Sequence, residues 1–365
     1  MKQLRWPALL LALALVLSGC ERFLVSEYTV ETPHVEQHAV SGGEDALTAE
    51  NYLSLKNAIL SFVEDGVEEG LIRIYDYSGD VEEDLSAATY EVAKTDPLGA
   101  YAVDYMTHDC ALIVSYYEVR ISIKFRRTPE EIAAIRRVAG AETLGDLLRQ
   151  TMTEGGESLV VRLSYFSDQD VEGMARRFYE ESPAEIMELP RISVAVYPDS
   201  GYVRIVEIQL EYDRPAEELL ELREAVATNI RAAREYVRYR PTEADKLQLL
   251  YTYLQERFAY APGETTTPVY SFLCEGIASG EGCAKSLQLI CDEMGLECRT
   301  VSGNRGGEAH AWNIVCVDGL YRHVDLLRAL NGGSELLPLL TDGEMTDYFW
   351  DTEAFPACEW IAPEE

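Results

Sequence analysis

Apolar and polar residues alternate in two pairs of matching segments in the middle of the chain. Residues 71–78 match residues 160–167 at an offset of 89, and residues 118–125 match residues 205–212 at an offset of 87. Alternation over such lengths is typical of half-buried β-strands. Because both pairs recur at nearly the same offset, we predict that a unit of about 90 residues occurs twice.

Helical spacing and turn residues complete each unit. Polar-apolar helical stretches occupy residues 81–94 and residues 171–181, after the first matched strand of each unit. In the second unit, residues 191–197 and 202–212 flank the turn Pro198-Asp199-Ser200-Gly201, which predicts a hairpin. Each unit is therefore predicted to be an α-β-α-β-β module.

Apolar residues spaced by three and four then predict three helices. The first runs from about Ala216 to Arg238 and ends before Pro241. The second begins after Thr242, and the third ends at Gly295, a residue type that commonly terminates helices. We expect the first of these helices to connect the modules to the last domain.

A hairpin near the C-terminus places a histidine and a carboxylate together. The dipeptide Asp318-Gly319 between two apolar strands is a strong signal for a two-residue turn. With these residues at the turn, Asp325 pairs with Trp312 and has His310 as a diagonal neighbour, about 7–8 Å away. A carboxylate in that position orients a histidine and fixes its tautomer. The hairpin therefore predicts a His310–Asp325 pair.

Cys283 is the candidate nucleophile. It lies near the start of the third helix, where the helix dipole lowers the pKa of a thiol. It precedes Leu287 by four residues and so shares the inward face of that helix. A helix-borne cysteine followed by a His/Asp hairpin predicts Cys283 as nucleophile, His310 as general base and Asp325 as the orienting acid.

Residues 245–325 resemble the transglutaminase-like family of bacterial surface proteins. The resemblance rests on His310-Ala311-Trp312-Asn313 and on His323-Val324-Asp325. It implies a papain-like fold, with a central helix on an antiparallel sheet, so that the whole chain belongs to the α+β class. It also implies attack of a cysteine thiolate on an amide, resolution of the thioester by water or an amine, and no cofactor.

The head of the third helix departs from the pattern of that family. The family usually has Cys-x-Gly-Tyr-Ala there, and an ungapped alignment places Gly280 at the cysteine and Cys283 at the tyrosine. In one interpretation Cys283 acts as the nucleophile from one helical turn deeper. In the other the nucleophile is absent, Cys283 is a small hydrophobic residue on a buried face, and the domain is a binding or scaffold protein.

Other residues compete for these roles. His323 shares the predicted face with Asp325 and is a second candidate base, while His310, His323 and Asp325 together would form a structural metal site. The remaining cysteines are predicted to be buried thiols because no Cys-x-x-Cys spacing occurs. Structural or solvated roles are predicted for His34, His38, His108, Cys110 and Tyr270.

The N-terminus has the pattern of a secretory signal. Lys2 and Arg5 precede an apolar run from Trp6 to Leu17. The following Leu17-Ser18-Gly19-Cys20 resembles the lipobox of bacterial lipoproteins. This resemblance implies cleavage before Cys20, lipidation of that cysteine, and an extracytoplasmic protein anchored to the bacterial membrane.

The charge composition of the chain limits the classes of molecule that it is expected to bind. The chain has 31 Lys plus Arg against 64 Asp plus Glu, a formal net charge of −33, which disfavours contact with nucleic-acid phosphates. The expected partners are a peptide or protein substrate or a cell-wall component, and the membrane, to which the lipid on Cys20 would attach the protein.

The sequence also predicts the domain organisation. The predicted segments are a signal peptide (1–19), a tether (20–45), the first module (46–140), the second module with the bridging helix (141–240) and a transglutaminase-like domain (241–365).

Overall fold

The computed structural model describes residues 46–164, 170–257 and 260–359. The predicted signal peptide, the tether, Cys20, His34 and His38 lie outside these residues. Helices and sheets are mixed along the described chain, with three four-stranded sheets and one two-stranded sheet, which confirms the α+β class. No helix in the described ranges is both long and apolar enough to cross a bilayer.

The first module is one sheet covered by helices. Its elements are β1 (Ala46–Ala49), α1 (Tyr52–Glu64), β2 (Glu69–Ile74), α2 (Val81–Lys94), α3 (Pro97–Ala102), β3 (Val103–Ile113) and β4 (Tyr116–Phe125). The strand order is β1-β2-β4-β3, with β1 parallel to β2 and the other pairs antiparallel. Strand β1 is an addition to the predicted α-β-α-β-β order, because its four residues, ALTA, are too short to show alternation.

The second module repeats this arrangement. Its elements are α4 (Pro129–Ala133), β5 (Arg136–Val138), α5 (Ala141–Thr153), β6 (Ser158–Ser164), α6 (Val171–Glu181), β7 (Arg191–Tyr197) and β8 (Val203–Glu211). The strand order β5-β6-β8-β7 and the strand directions match those of the first sheet. The predicted hairpin of β7 and β8 is confirmed. That the likeness reflects an internal duplication stays a prediction.

An ion pair joins the two modules. The guanidinium of Arg127 contacts the carboxylate of Glu207, whose side chain is only 8% exposed. The same guanidinium lies 4.7 Å from the centre of the Tyr101 ring. Since an isolated buried carboxylate is costly, Arg127 is needed where β8 meets the first module.

Helix α7 (Ala216–Val237) is part of the C-terminal core. All six apolar residues of its predicted stripe are buried, namely Leu219, Leu222, Val226, Ile230, Ala233 and Val237. They pack in one cluster with α8 (Glu243–Arg257) and with residues as far along the chain as Leu337. The predicted helix is confirmed, while the predicted domain boundary between residues 240 and 241 stays a prediction.

The C-terminal part is a helix packed on an antiparallel sheet. Its elements are β9 (Ala261–Pro262), α9 (Pro268–Tyr270), a π-helical turn (Ser271–Glu275), β10 (Ile277–Ala278), α10 (Gly280–Met294), β11 (Cys298–Arg305), β12 (Glu308–Val317), β13 (Leu320–Val324), α11 (Leu326–Gly332), a 3₁₀ turn (Asp342–Glu344) and β14 (Tyr348–Phe349). The strand order is β13-β12-β11-β14, and α10 packs on β11 and β12. This is the layered arrangement that the family resemblance implies.

The predicted hairpin forms, but it ends earlier than predicted. Val317 pairs with Leu320, as the turn at Asp318-Gly319 requires, and pairing continues to Val324. The predicted pairing of Asp325 with Trp312 is wrong. Asp325 leaves the sheet as the N-cap of α11, where its carboxylate accepts a hydrogen bond from the backbone of the third residue of the helix.

Candidate active site

The head of helix α10 presents a glycine to a histidine. Ser279 caps this helix, and its hydroxyl accepts a hydrogen bond of 3.0 Å from the backbone N–H of Gly282. A β-carbon built on Gly280 lies 3.1 Å from Nδ1 of His310 and 3.1 Å from the backbone nitrogen of Ala311. The backbone of Gly280 is not in the left-handed region that disfavours side chains. Position 280 therefore faces the imidazole and lacks a side chain.

Cys283 lies one helical turn deeper, inside the apolar core. Its residue is 1% exposed and belongs to the cluster that includes Val269, Phe272 and Leu287. Burial, and to a lesser extent the negative charge of Asp325, raises the pKa of the Cys283 thiol well above its usual value. The lowered pKa that the sequence predicted for a thiol near the start of this helix is therefore not found, and the thiol stays protonated at neutral pH.

The structure brings His310 and Asp325 together. Nε2 of His310, on β12, lies 2.8 Å from Oδ2 of Asp325, and both side chains are largely buried. Burial by itself would raise the pKa of Asp325, but hydrogen bonds from His310, Tyr348 and the backbone of Arg328 lower the pKa. Asp325 is therefore a carboxylate that accepts hydrogen bonds from three directions.

Tyr348 is a member of this site that the sequence did not reveal. Its hydroxyl donates a hydrogen bond of 2.6 Å to Oδ2 of Asp325, the oxygen that also contacts His310. Burial and the bond to Asp325 raise the pKa of Tyr348 to about 12, so it remains a donor. Tyr348 lies on the two-residue strand β14, which is too short to carry a periodic signal, so no sequence pattern could have found it.

The hydrogen bonds fix the tautomer of His310. An ionised carboxylate only accepts hydrogen bonds, so Nε2 of His310 carries the proton that Asp325 accepts. In the neutral ring, Nδ1 is then an acceptor, and it is the atom that faces position 280. This arrangement orients a base toward position 280.

His310 lies between two depressions of the surface. One has a volume of about 540 Å³, and its walls include Gly280, Thr265, Ser302 and Tyr179. The other, of about 600 Å³, lies toward the turn after β11 and the end of α11. His310 lines both depressions, so they adjoin at the imidazole, and together we call them the groove. Their volumes are in the range of ligand-binding clefts. We call the first depression the α6 cleft.

His323 faces away from the groove. It is fully buried, and its Nδ1 accepts a hydrogen bond of 3.0 Å from the indole N–H of Trp312. Its Nε2 lies 2.8 Å from Oδ1 of Asp342. The structure thus places His323 with Asp342 rather than beside Asp325, although their sequence positions predicted a common face.

The donor set around His323 does not fit a metal ion. Ligand atoms of His323, Asp342 and Cys358 lie within 4.8 Å of one another. However, the Trp312 indole only donates, so Nδ1 of His323 must accept and Nε2 must carry the proton. A protonated Nε2 cannot coordinate a cation. The hypothesis of a site formed by His310, His323 and Asp325 finds no common ligand cluster within the described residues.

The buried His323 predicts a pH dependence of stability. Burial lowers its pKa below the ordinary value of 6.5, with Asp342 opposing this effect. Below pH 6.5 the unfolded chain binds a proton that the folded chain does not, so the free energy of unfolding falls as the pH drops toward the folded pKa. We expect this slope, at most about 1.4 kcal/mol per pH unit, to flatten in His323→Gln. Urea denaturation between pH 5 and 7.5 measures it.

The matched control is His108→Gln, which removes an imidazole from strand β3 of a different sheet. The explanation is wrong if both variants show the same slope as the wild type. It is also wrong if His108→Gln alone flattens the slope.

The remaining candidates lie outside the groove. Tyr270 packs against the C-terminal core and is not among the residues that line either depression. His108 and Cys110 lie on β3, and neither belongs to a metal-ligand cluster in the described part of the chain. The seven cysteines in that part are free thiols, of which Cys283, Cys291, Cys298 and Cys358 are buried.

Comparison with known proteins finds a family model that matches part of the chain. Residues 230–326 match the sequence model of the transglutaminase-like superfamily, which spans α10 and the His310–Asp325 pair. No curated protein matches the chain.

Solved structures that match are distant. A structure described as a TGase is 11% identical, with a TM-score of 0.26 over 56% of this chain and 60% of that one. A candidate cysteine protease from Cytophaga hutchinsonii is 13% identical, with a TM-score of 0.25 over 41% of this chain and 66% of that one. A candidate protease from Parabacteroides distasonis is 10% identical, with a TM-score of 0.23 over 58% and 47%. The match thus spans 60% of the first of these proteins, and TM-scores of this size do not establish a shared fold.

Proposed function

We propose that this chain, whose residues 230–326 form a transglutaminase-like domain, has lost the nucleophilic thiol of that family and uses the groove to bind a peptide or protein segment. One observation carries the proposal. The position that faces Nδ1 of His310 is Gly280, which has no side chain. Without a thiolate at that point, the oriented histidine has no nucleophile to activate.

The chemistry of the groove supports a peptide ligand. In the neutral ring, Nδ1 of His310 is an acceptor in the lining of the α6 cleft, and a peptide N–H is a donor of matching strength. Hydroxyl groups line the same cleft, among them Thr265, Thr266 and Ser302. A polar wall of this kind suits an extended peptide, whose backbone carries both donors and acceptors.

An active enzyme that uses Cys283 is the competing hypothesis, and burial counts against it. Only the thiolate attacks an amide, and the desolvated Cys283 thiol has a raised pKa. Its residue is 1% exposed, so a substrate carbonyl has no path to the sulfur in this conformation.

Alkylation of the native protein tests the proposal. We expect iodoacetamide to modify Cys283 only after denaturation, whereas the half-buried Cys316 reacts in the folded protein and serves as the internal reference. Mass spectrometry of the peptides quantifies each site. Cys283→Ser should leave the protein inert toward labelled casein, as the wild type is expected to be.

Two results would overturn the proposal. One is rapid alkylation of Cys283 in the native protein with an apparent pKa below 7. The other is hydrolysis of casein, or transfer of an amine to it, that disappears in Cys283→Ser.

In this proposal the binding domain acts outside the cytoplasm. The Leu17-Ser18-Gly19-Cys20 segment supports anchoring through a lipidated Cys20. At that surface, exposed proteins and the peptides of the cell wall are the available ligands. Anchoring and location stay predictions from the sequence.

A further inference from the structure

Helix α6 of the second module reaches the head of helix α10. Nζ of Lys285, on α10, lies 3.7 Å from the ring centre of Tyr179, on α6. The Lys285 side chain is only 7% exposed and pairs with Glu281 at 2.7 Å. A buried ammonium held between a ring and a carboxylate fixes the two helices relative to each other.

The same helix forms one wall of the α6 cleft. Arg176, Tyr179 and Glu180 line it from α6, and Leu189 lines it from the segment that follows. Gly280 and His310, which belong to the C-terminal part, line the same cleft. The cleft is therefore shared between two parts of the chain, and the residues matched by the family model supply only one side of it.

The first module has no such role. The offset of 89 that relates the two modules places Tyr90 at the position of Tyr179. Tyr90 is 68% exposed, whereas Tyr179 is 9% exposed. The two modules share a strand order, but among the described residues the C-terminal part covers the helix at Tyr179 and leaves the helix at Tyr90 exposed.

We infer that helix α6 is the specificity wall of the groove, where Arg176 and Glu180 contact the side chains of a bound peptide. This inference rests on the proposed function as a peptide-binding site. Arg176 is 57% exposed and contacts Glu172 only at 3.7 Å, so its guanidinium remains available to a ligand. The neighbouring Arg177 is also exposed but does not line the cleft.

Disulfide capture of short peptides tests this inference. Ser302 is exposed in the same cleft, so Ser302→Cys provides a thiol that exchanges with cysteine peptides in a glutathione buffer. The probes are Ac-Asp-Cys-Asp-NH₂ and Ac-Lys-Cys-Lys-NH₂, and mass spectrometry of the proteolytic peptides gives the ratio of the two adducts at position 302, separately from adducts at native thiols such as Cys316. We expect Arg176→Glu to shift this ratio about tenfold toward the lysine peptide.

Arg177→Glu is the matched control, because it makes the same charge change on the same exposed helix. We expect it to shift the ratio less than twofold. Equal shifts from the two variants would overturn the inference, since they would reflect net charge alone. No shift from Arg176→Glu would overturn it as well.

A second cysteine position serves as a reporter in case the thiol at position 302 reacts poorly. Thr266 is also exposed and lines the cleft, so the comparison is repeated with Thr266→Cys. Neither reporter involves Cys283 or Gly280. A failure of this inference is therefore distinguishable from a failure of the proposed function, which depends on the reactivity of Cys283.

Discussion

Gly280→Cys is expected to produce the most reactive thiol in the protein. Its β-carbon would lie close to Nδ1 of His310, after the neighbours shift by a few tenths of an ångström. The new thiol would also occupy the first position of helix α10. An imidazole and a helix N-terminus both stabilise a thiolate, and together they lower a cysteine pKa by several units.

The expected gain follows from thiolate fraction and nucleophilicity. If the pKa falls from about 8.5 to about 5.5, the thiolate fraction at pH 6 rises about 200-fold. A less basic thiolate is a weaker nucleophile, so the net gain in the alkylation rate is about tenfold over an ordinary exposed thiol. The rate of iodoacetamide modification between pH 4 and 9 gives both quantities.

Two controls distinguish activation of the Gly280→Cys thiol by His310 from simple exposure of that thiol to solvent. Ser302→Cys supplies an exposed thiol in the same cleft without the imidazole, and we expect an ordinary pH profile for it. Adding His310→Ala to Gly280→Cys should remove most of the activation. If the Gly280→Cys thiol titrated like the Ser302→Cys thiol, the position facing His310 would have been assigned wrongly.

Trp312→Ala is expected to destabilise the C-terminal part by about 3–5 kcal/mol. Trp312 is 1% exposed, and its ring centre lies 5.1 Å from that of Tyr348 and 5.8 Å from that of Trp350. The indole N–H also donates to the buried His323. Truncation leaves a cavity and an unpaired acceptor, and urea denaturation followed by circular dichroism measures the loss.

A milder substitution of Trp312 separates the contribution of its hydrogen bond from that of its ring. Trp312→Phe keeps an aromatic ring but removes the N–H, so we expect a cost of about 1–3 kcal/mol. Phe349→Ala on β14 is the surface control, since Phe349 is 66% exposed, and its cost should stay within about 0.5 kcal/mol. A cost below about 1 kcal/mol for Trp312→Ala would contradict the role given to this ring.

The elements with strong periodicity could be predicted from the sequence. The stripe from Leu219 to Val237 and the turn at Asp318-Gly319 both formed where the pattern placed them. Strand β1, with four residues, and β14, with two, could not be predicted. Their pairing depends on the rest of the sheet rather than on their own residues.

The residues of the candidate site could be predicted in part, but their geometry depends on contacts between distant segments. His310 and Asp325 meet, but not as diagonal neighbours on paired strands, because Asp325 caps α11 instead. The sequence placed Cys283 on the inward face of its helix, but the extent of its desolvation could not be predicted, since it arises from helices and strands far apart in sequence. The sequence left Gly280 and Cys283 as alternatives, and three-dimensional packing shows which position faces the imidazole.

The placement of α7 limits how the C-terminal part can be isolated. The apolar stripe of this helix lies in the same cluster as Leu287 and Ile290 of α10. A fragment that begins at residue 241 would expose the apolar side of α10 that α7 covers, and we expect such a fragment to aggregate. A fragment made to isolate the C-terminal part should therefore begin before Ala216, even though the family model begins only at residue 230.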